Sequence, residues 1–389
     1  MDKLEVLLTR GVAQILPSKK GLKDLMTQKK ITLYQGFDPT APSLHIGNFI
    51  GIRKLAQFQK AGAKVIFLVG DFTAMIGDPT DKKAPRKKLT SQQILKNLKD
   101  YKNQAGKILD FTGPNKAEIR FNSEWLSRLT FEEILDLASL FTVQQMLERD
   151  MFQERLKNQK PIYMHEFMYP LMQGYDCVQM GVDLEIGGSD QLFNMLAGRT
   201  LMKTLKNKEK YVLSLKLLED DKGVKMGKTE GNAINLNDSP EDIYGKIMAF
   251  PDSFLGLAVE LLTDLPLTGK VNNPLKTKKN LAYDVVRQIH GEDSAHLAET
   301  EFEKIFQKRG VPEEMREVSL KEKSAPLLDL IFESGLVKSR SEAKRLIVER
   351  GVKLNGKVMT DPQEEVFLNQ EGKILKIGKR RFAKIKYGK

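Results

Sequence analysis

Ile31-Thr-Leu-Tyr-Gln-Gly-Phe-Asp-Pro-Thr-Ala-Pro-Ser-Leu-His-Ile-Gly-Asn48 decides the fold. Its first seven residues read as a strand. Pro39 and Pro42 force a turn, because proline disfavours helix at the residue before it. His45 to Lys60 then reads as a helix whose apolar positions, Phe49, Ile52, Leu55, Ala56 and Phe58, make a broad face. Gly62 ends it. Lys64-Val-Ile-Phe-Leu-Val-Gly70 is a continuous apolar run, as in a parallel strand covered on both faces. Strand, turn, helix and buried strand make half of a doubly wound α/β sheet, in which ligands bind beyond the C-terminal ends of the strands. The turn suits a polyphosphate. A helix start offers unpaired backbone donors to an anion, and Thr40 and His45 can donate beside them. Alone, His45 reads as a helix cap or a buried imidazole; its setting between Asp38, Thr40 and Gly47 favours phosphate. Gly47 lets a flat ring approach the backbone, and the Asn48 amide can donate to a ring or ribose oxygen.

A second segment, Lys225-Met-Gly-Lys-Thr229, sits inside Asp220-Asp-Lys-Gly-Val-Lys-Met-Gly-Lys-Thr-Glu-Gly231. A charge run usually faces solvent. Here glycine and charge leave almost nothing to hold a helix, which predicts a loop able to close late on a reacting phosphate. The two segments together describe a site that opens ATP between its α and β phosphates.

Bulk properties narrow the setting. The chain has 389 residues, enough for two or three domains. Its longest apolar run, near Val65–Val69, is far too short to cross a membrane. Met1-Asp-Lys-Leu-Glu shows no signal-peptide pattern. A single cysteine, Cys177, excludes an internal disulfide and a cysteine-based zinc site, so a reducing, cytoplasmic location is expected. The four histidines are scattered, and no metal site is expected from them. Net charge is +12, and Lys373 to Lys389 holds eight basic residues and no acid, as a polyanion-binding module would.

Further along, Gln92–Leu109, Phe131–Lys157 and Tyr163–Met180 read as helices, Val182–Ile186 and Tyr211–Leu217 as strands. Pro240–Met248, Asn280–Ile289 and Ala295–Phe306 are helical in pattern. Ser319–Pro326 reads as a linker. Leu327–Phe332 and Ser339–Arg350 read as helices, the second opened by a Ser339/Glu342 capping box, before short strands split by Asn355-Gly356. The domains expected are 1–234, Rossmann-like with an inserted helical dimerisation region; 235–318, mainly helical; and 326–389, small and α+β.

Tyr169, Gln173 and Asp176 recur at i, i+4 and i+7 and so share one helical face. Three polar groups there suit a pocket wall better than a plain core helix, though a solvent-facing stripe is the alternative.

At these residues the sequence resembles class I aminoacyl-tRNA synthetases, and within them the bacterial tyrosyl-tRNA synthetases. His45-Ile-Gly-Asn48 is similar to the first class signature. Lys225-Met-Gly-Lys-Thr229 is similar to the second, usually Lys-Met-Ser-Lys-Ser; Gly227 and Thr229 depart from it, and Thr229 keeps a hydroxyl. The resemblance covers essentially the whole chain and is strongest at 34–48, 70–80, 166–191 and 223–235. It implies that Tyr34 and Asp176 meet a substrate phenol, while Tyr169, Gln173 and Asp78 hold its α-ammonium, with Gln191 beside the substrate backbone. Phenylalanine would leave those buried polar groups unpaired. Asp190 is implied at the adenylate ribose, and Gly36 and Asp38 near the α-phosphate. Thr40, His45, Lys225, Lys228 and Thr229 would hold the departing phosphates, and Lys82 and Arg86 would assist either those phosphates or the tRNA acceptor end. Mg2+ would accompany ATP without a dedicated protein cage. Glu185 stands where some members carry glutamine, its partner unknown.

The same resemblance implies a tyrosine–tRNA ligase acting on tRNA(Tyr), L-tyrosine and ATP as a homodimer, with Met164 and Leu137 as interface candidates that would also suit a core. The last unit resembles an S4-like RNA-binding domain through Gly335–Ile347 and Gly351–Lys357. There Ala343, Leu346 and Ile347 can pack inward while Lys338, Arg340, Lys344 and Arg345 meet phosphate. Two other readings stay open. A tryptophan–tRNA ligase would share the ATP motifs, against which Tyr34 with Asp176 speaks. A non-catalytic RNA-binding protein on the same fold would have no need of an intact pocket.

Overall fold

The computed structural model describes residues 2–78, 89–219, 233–267, 271–306, 315–320, 322–378 and 381–388. The chain packs as two compact units, Met1–His296 and Leu297–Lys389. The division falls inside the stretch expected as a separate helical domain: the helices Pro240–Met248, Leu255–Leu262 and Pro274–His290 lie in the first unit. Ser239 and Asn273 cap the first and last of these, each followed by proline in the first helical turn, where its missing N–H costs nothing.

The described residues of the first unit form six strands: β1 (Val12–Leu16), β2 (Thr32–Phe37), β3 (Lys64–Val69), β4 (Glu118–Phe121), β5 (Leu184–Gly188) and β6 (Tyr211–Leu215). Their order is β1-β6-β5-β2-β3-β4, parallel from β6 to β4. β1 is an antiparallel edge strand on β6 that the sequence pattern did not disclose. After β2 the chain moves outward to β3 and β4, then returns to the other side of β2 as β5. That reversal opens a crevice between the C-terminal ends of β2 and β5, where open α/β sheets take ligands.

Strand alternation sends Tyr34, Ile66 and Leu68 into one core with Leu171, Val178, Leu201 and Met202 from the helices Met164–Met180 and Leu192–Lys206. Those two helices approach closely: a Cβ on Gly174 would stand 2.9 Å from the Gly198 backbone nitrogen. The helix Ile46–Lys60 packs on β2, β3 and β5. Among the described residues no helix is long and apolar enough to cross a membrane.

Three helix expectations need correction. Phe131–Lys157 is not one helix but three, Phe131–Ser139, Val143–Leu147 and Asp150–Lys157. Thr142 restarts the chain with a reciprocal capping box to Gln145, a local signal stronger than the apolar pattern across it. Gln92–Leu109 likewise divides into Ser91–Leu98 and Tyr101–Gly106. At Ser339 half of the expected box forms: its hydroxyl accepts from the Glu342 N–H, but Glu342 accepts from Lys338 N–H and pairs with Arg381 instead.

The described residues of the second unit form seven strands: β7 (Arg316–Leu320), β8 (Ser324–Pro326), β9 (Val352–Leu354), β10 (Lys357–Met359), β11 (Glu365–Phe367), β12 (Lys373–Ile377) and β13 (Arg381–Tyr387). Five form a sheet in the order β10-β9-β12-β13-β7, and β8 pairs with β11. Ser319–Pro326 is therefore not a plain linker, since β7 lies parallel to β13 and β8 lies on β11. The helices Leu327–Glu333 and Arg340–Val348 bury Leu330, Ile331, Ala343 and Ile347 against this scaffold.

Candidate active site

The crevice at β2 and β5 is a cleft of about 270 Å³. It brings together Tyr34, Gly36, Asp38, Thr40, His45, Gly47, Asn48, Asp78, Tyr169, Gln173, Asp176, Asp190 and Gln191. Each described residue expected at ATP or at the amino acid therefore lines one cleft. Lys82, Arg86, Lys225, Lys228 and Thr229 lie outside the described residues.

At one end His45 caps the helix Ile46–Lys60. Its Nδ1 accepts from the Gly47 N–H at 3.1 Å and the Asn48 N–H at 3.4 Å, and Asn48 Oδ1 accepts from the His45 N–H at 3.0 Å. The cap and the ligand readings of His45 thus coexist. An Nδ1 that accepts puts the proton on Nε2, and Asn48 keeps its NH2 as donor. The ring that needs space at Gly47 is His45's own: a Cβ there would stand 2.9 Å from its Cε1. Ile234–Leu236, just beyond the lysine motif, lies alongside. Ile46 N–H donates to Ile234 O and Leu236 N–H to Leu44 O, both at 2.8 Å. On the other side of that motif Leu217 and Leu218 line the cleft.

Asp38 is fixed by two hydroxyls, Thr73 to Oδ1 at 2.8 Å and Tyr169 to Oδ2 at 2.9 Å. Burial, and then the Asp38 charge, hold the Tyr169 phenol well above its usual range. Asp190 follows Gly188, where a Cβ would come within 2.5 Å of the Asp190 Oδ1. Gln191 Nε2 donates to Asp78 Oδ2 at 2.6 Å. The buried Arg149 lies 3.9 Å from Asp78 Oδ1 and over the Phe152 and Phe193 rings. Burial lowers its pKa to about 10.

Deeper in the cleft, Asp176 is 2 % exposed. Trp125 Nε1 donates to its Oδ1 at 2.8 Å and Asn122 Nδ2 to its Oδ2 at 3.3 Å. Burial outweighs both bonds, so the carboxyl titrates well above the ordinary aspartate range. Tyr34 is wholly buried, and its hydroxyl has no hydrogen-bond partner among the described residues. Burial first, then the Glu185 carboxylate, raise its pKa well above that of a free phenol. Gln173 Nε2 donates to Glu185 Oε1 at 3.2 Å, and Lys210 Nζ pairs with Glu185 Oε2. Lys210 is therefore the partner that Glu185 lacked in the sequence.

Asn122, Trp125, Thr73, Arg149 and Lys210 were not foreseen. Asn122 and Trp125 follow the C-terminal end of β4, a position where parallel strands deliver ligand-shaping residues. That placement was the available signal for them. In the second unit Lys338, Arg340, Lys344 and Arg345 are all exposed, with Arg340 bridged to Asp329 at 3.0 Å and stacked on Phe332.

Residues 26–307 match the model of class I tRNA synthetases for W and Y, and 326–370 match the S4 domain. The chain is 42 % identical over 395 residues to a tyrosine–tRNA ligase of Moorella thermoacetica, covering 97 % of this chain and 94 % of that one. It is 43 % identical over 411 residues to the tyrosine–tRNA ligase of Carboxydothermus hydrogenoformans, covering 100 % and 98 %. The chain belongs to the tyrosyl-tRNA synthetase family. A solved structure from the same family, the C-terminally truncated mitochondrial tyrosyl-tRNA synthetase of Aspergillus nidulans, superposes with a TM-score of 0.67 at 26 % identity, covering 78 % of this chain and 94 % of that one. The tyrosyl-tRNA synthetase architecture is thus a Rossmann-like catalytic domain, a helical region and an S4 domain.

Proposed function

We propose that this chain activates L-tyrosine with ATP and transfers it to tRNA(Tyr). The observation that carries the reading is a buried hydroxyl with no hydrogen-bond partner among the described residues, Tyr34, sharing a cleft with a buried carboxylate, Asp176. A substrate phenol satisfies both: it donates to Asp176 and accepts from Tyr34. The indole of tryptophan has no oxygen to accept from Tyr34, which disfavours a tryptophan ligase. An intact pocket beside the ATP half disfavours a non-catalytic RNA binder.

In the first step an oxygen of the tyrosine carboxylate attacks the α-phosphorus of Mg2+-bound ATP. The bond to the bridging oxygen breaks, and diphosphate leaves with its electron pair. No side-chain nucleophile is needed; positioning and charge stabilisation do the chemistry. Thr40 and His45 donate to the departing phosphates, and Lys225, Lys228 and Thr229 act on the same group, with Lys82 and Arg86 assisting. The two chain ends that border 220–232 lie at the cleft, which supports this assignment. Asp190 takes the ribose hydroxyls. Asp78, Tyr169 and Gln173 take the α-ammonium. The terminal ribose hydroxyl of tRNA then attacks the carbonyl carbon, and AMP departs. Mg2+ enters on the nucleotide, as part of the substrate.

The exposed basic residues Lys338, Arg340, Lys344 and Arg345 contact tRNA phosphates, and the 235–318 region faces the anticodon. Exposed Phe131, Val143 and Met164 support a homodimer formed through the helices around 131–164, whereas Leu137 is buried within its own unit. The cytoplasm is the proposed location. Charging a tRNA(Tyr) transcript with labelled L-tyrosine and Mg2+-ATP tests the reading: esterified tRNA is expected, and no charged product from folded protein would sink it.

A further inference from the structure

The chemistry above gives no part to one buried charge beside the pocket. Lys210 is wholly buried just before β6. Its ammonium meets Glu185 Oε2 and donates to the Met195 carbonyl at 3.0 Å. A buried lysine is costly unless paired, and one that merely filled space would be better replaced by an apolar chain. The other Glu185 oxygen accepts from Gln173 Nε2 at 3.2 Å. A carboxylate only accepts, so one held in this place takes the NH2 end of the Gln173 amide.

We propose that Lys210 is a positioning residue for tyrosine: by anchoring the Glu185 carboxylate it pins the Gln173 NH2 inward, so that the Gln173 carbonyl oxygen is presented to the α-ammonium of the substrate. The chain runs Lys210 ammonium, Glu185 carboxylate, Gln173 amide, substrate ammonium, alternating donor and acceptor at each link. Without the Lys210 ammonium, Glu185 loses its anchor among Tyr34 on β2 and Asp176 and Cys177 on the helix Met164–Met180. The Gln173 amide is then free to turn over and set its NH2 against the substrate ammonium. This inference rests on the tyrosine reading, and exchange by the parent enzyme checks that reading first.

The test uses the full chain in ATP–diphosphate exchange, with KM for tyrosine and for ATP measured near neutral pH. Lys210→Met should raise the tyrosine KM about tenfold near neutrality, the scale of one lost charge-assisted hydrogen bond. Glu185→Gln keeps the shape but supplies an amide that can donate to Gln173, so its tyrosine KM should rise as well. The ATP KM should move less than about twofold in both. If Lys210→Met does not fold, Glu185→Gln decides. A parent-like tyrosine KM in Lys210→Met or in Glu185→Gln, equal changes for tyrosine and ATP, or failure of both variants to fold would overturn the proposal. A parent that exchanges with no tyrosine would instead overturn the function on which it rests.

Discussion

His45 and Asn235 face each other across an isolated antiparallel bridge, with Ile46 N–H donating to Ile234 O at 2.8 Å. The bridge ties the start of the helix Ile46–Lys60 to the chain that leaves the Lys225–Thr229 motif. Two segments far apart in sequence thus meet at the end of the cleft proposed to take ATP. Changing Lys225 or Lys228 to alanine should slow adenylate formation by about 10² or more, the loss expected for one transition-state donor. Equilibrium tyrosine binding should barely move. Pre-steady-state rates beside tyrosine titrations check this; tyrosine binding that collapses with the rate would make the lysines part of the amino-acid pocket.

Asp176→Asn should weaken tyrosine use and leave the ATP constant nearly unchanged, because the carboxylate sits in the deep part of the cleft with Tyr34. It also carries a stability signature. Burial raises the Asp176 pKa above its unfolded value near 3.8, so the folded state binds that proton more tightly. The contribution favours folding at low pH and is lost as pH rises from the unfolded towards the folded pKa. The difference in Tm between Asp176→Asn and the parent, both ligand-free, should therefore be more positive at pH 8 than at pH 4. A difference independent of pH would contradict the burial argument.

Tyr34→Phe removes a buried hydroxyl that has no partner among the described residues. Its Tm should change little, since the hydroxyl lies beside the Glu185 carboxylate without a hydrogen bond of normal geometry among the described residues. Preference for tyrosine over phenylalanine, as a ratio of kcat/KM in exchange, should fall about tenfold. A large loss of stability would show that the hydroxyl is already satisfied in the free protein.

Removing residues 315–389 tests the modular division. The exchange reaction should survive, because every residue assigned to it lies in the first unit. Charging of tRNA should fall, and its salt dependence should become shallower as phosphate contacts vanish. A cut at 326 is a poorer design, since it leaves β7 and β8 without β13 and β11. Loss of exchange in a folded 1–314 protein would contradict the division.

What the chain discloses without coordinates is local. The strand–turn–helix from Ile31 to Lys60 is readable because proline, glycine and the apolar face act over a few residues. Tyr169, Gln173 and Asp176 are readable because one helical period aligns them. Trp125 and Asn122 reach Asp176 from the end of another strand, and Lys210 reaches Glu185 across β5 and β6; no pattern within either segment announces such a meeting. The pairing of β1 on β6, and of β7 on β13, is equally a product of the tertiary fold. The break at Thr142 is legible as a Thr-x-x-Gln cap, but the surrounding leucines and valine carry an apolar pattern straight across it.

The most direct test of the account is amino-acid-dependent ATP–diphosphate exchange by the full chain, run side by side with tyrosine, phenylalanine and tryptophan. Tyrosine alone should sustain exchange, with phenylalanine and tryptophan near background. Exchange with tryptophan and not tyrosine, or no exchange with any of the three by folded protein, would contradict the assignment of Tyr34 and Asp176 to a substrate phenol.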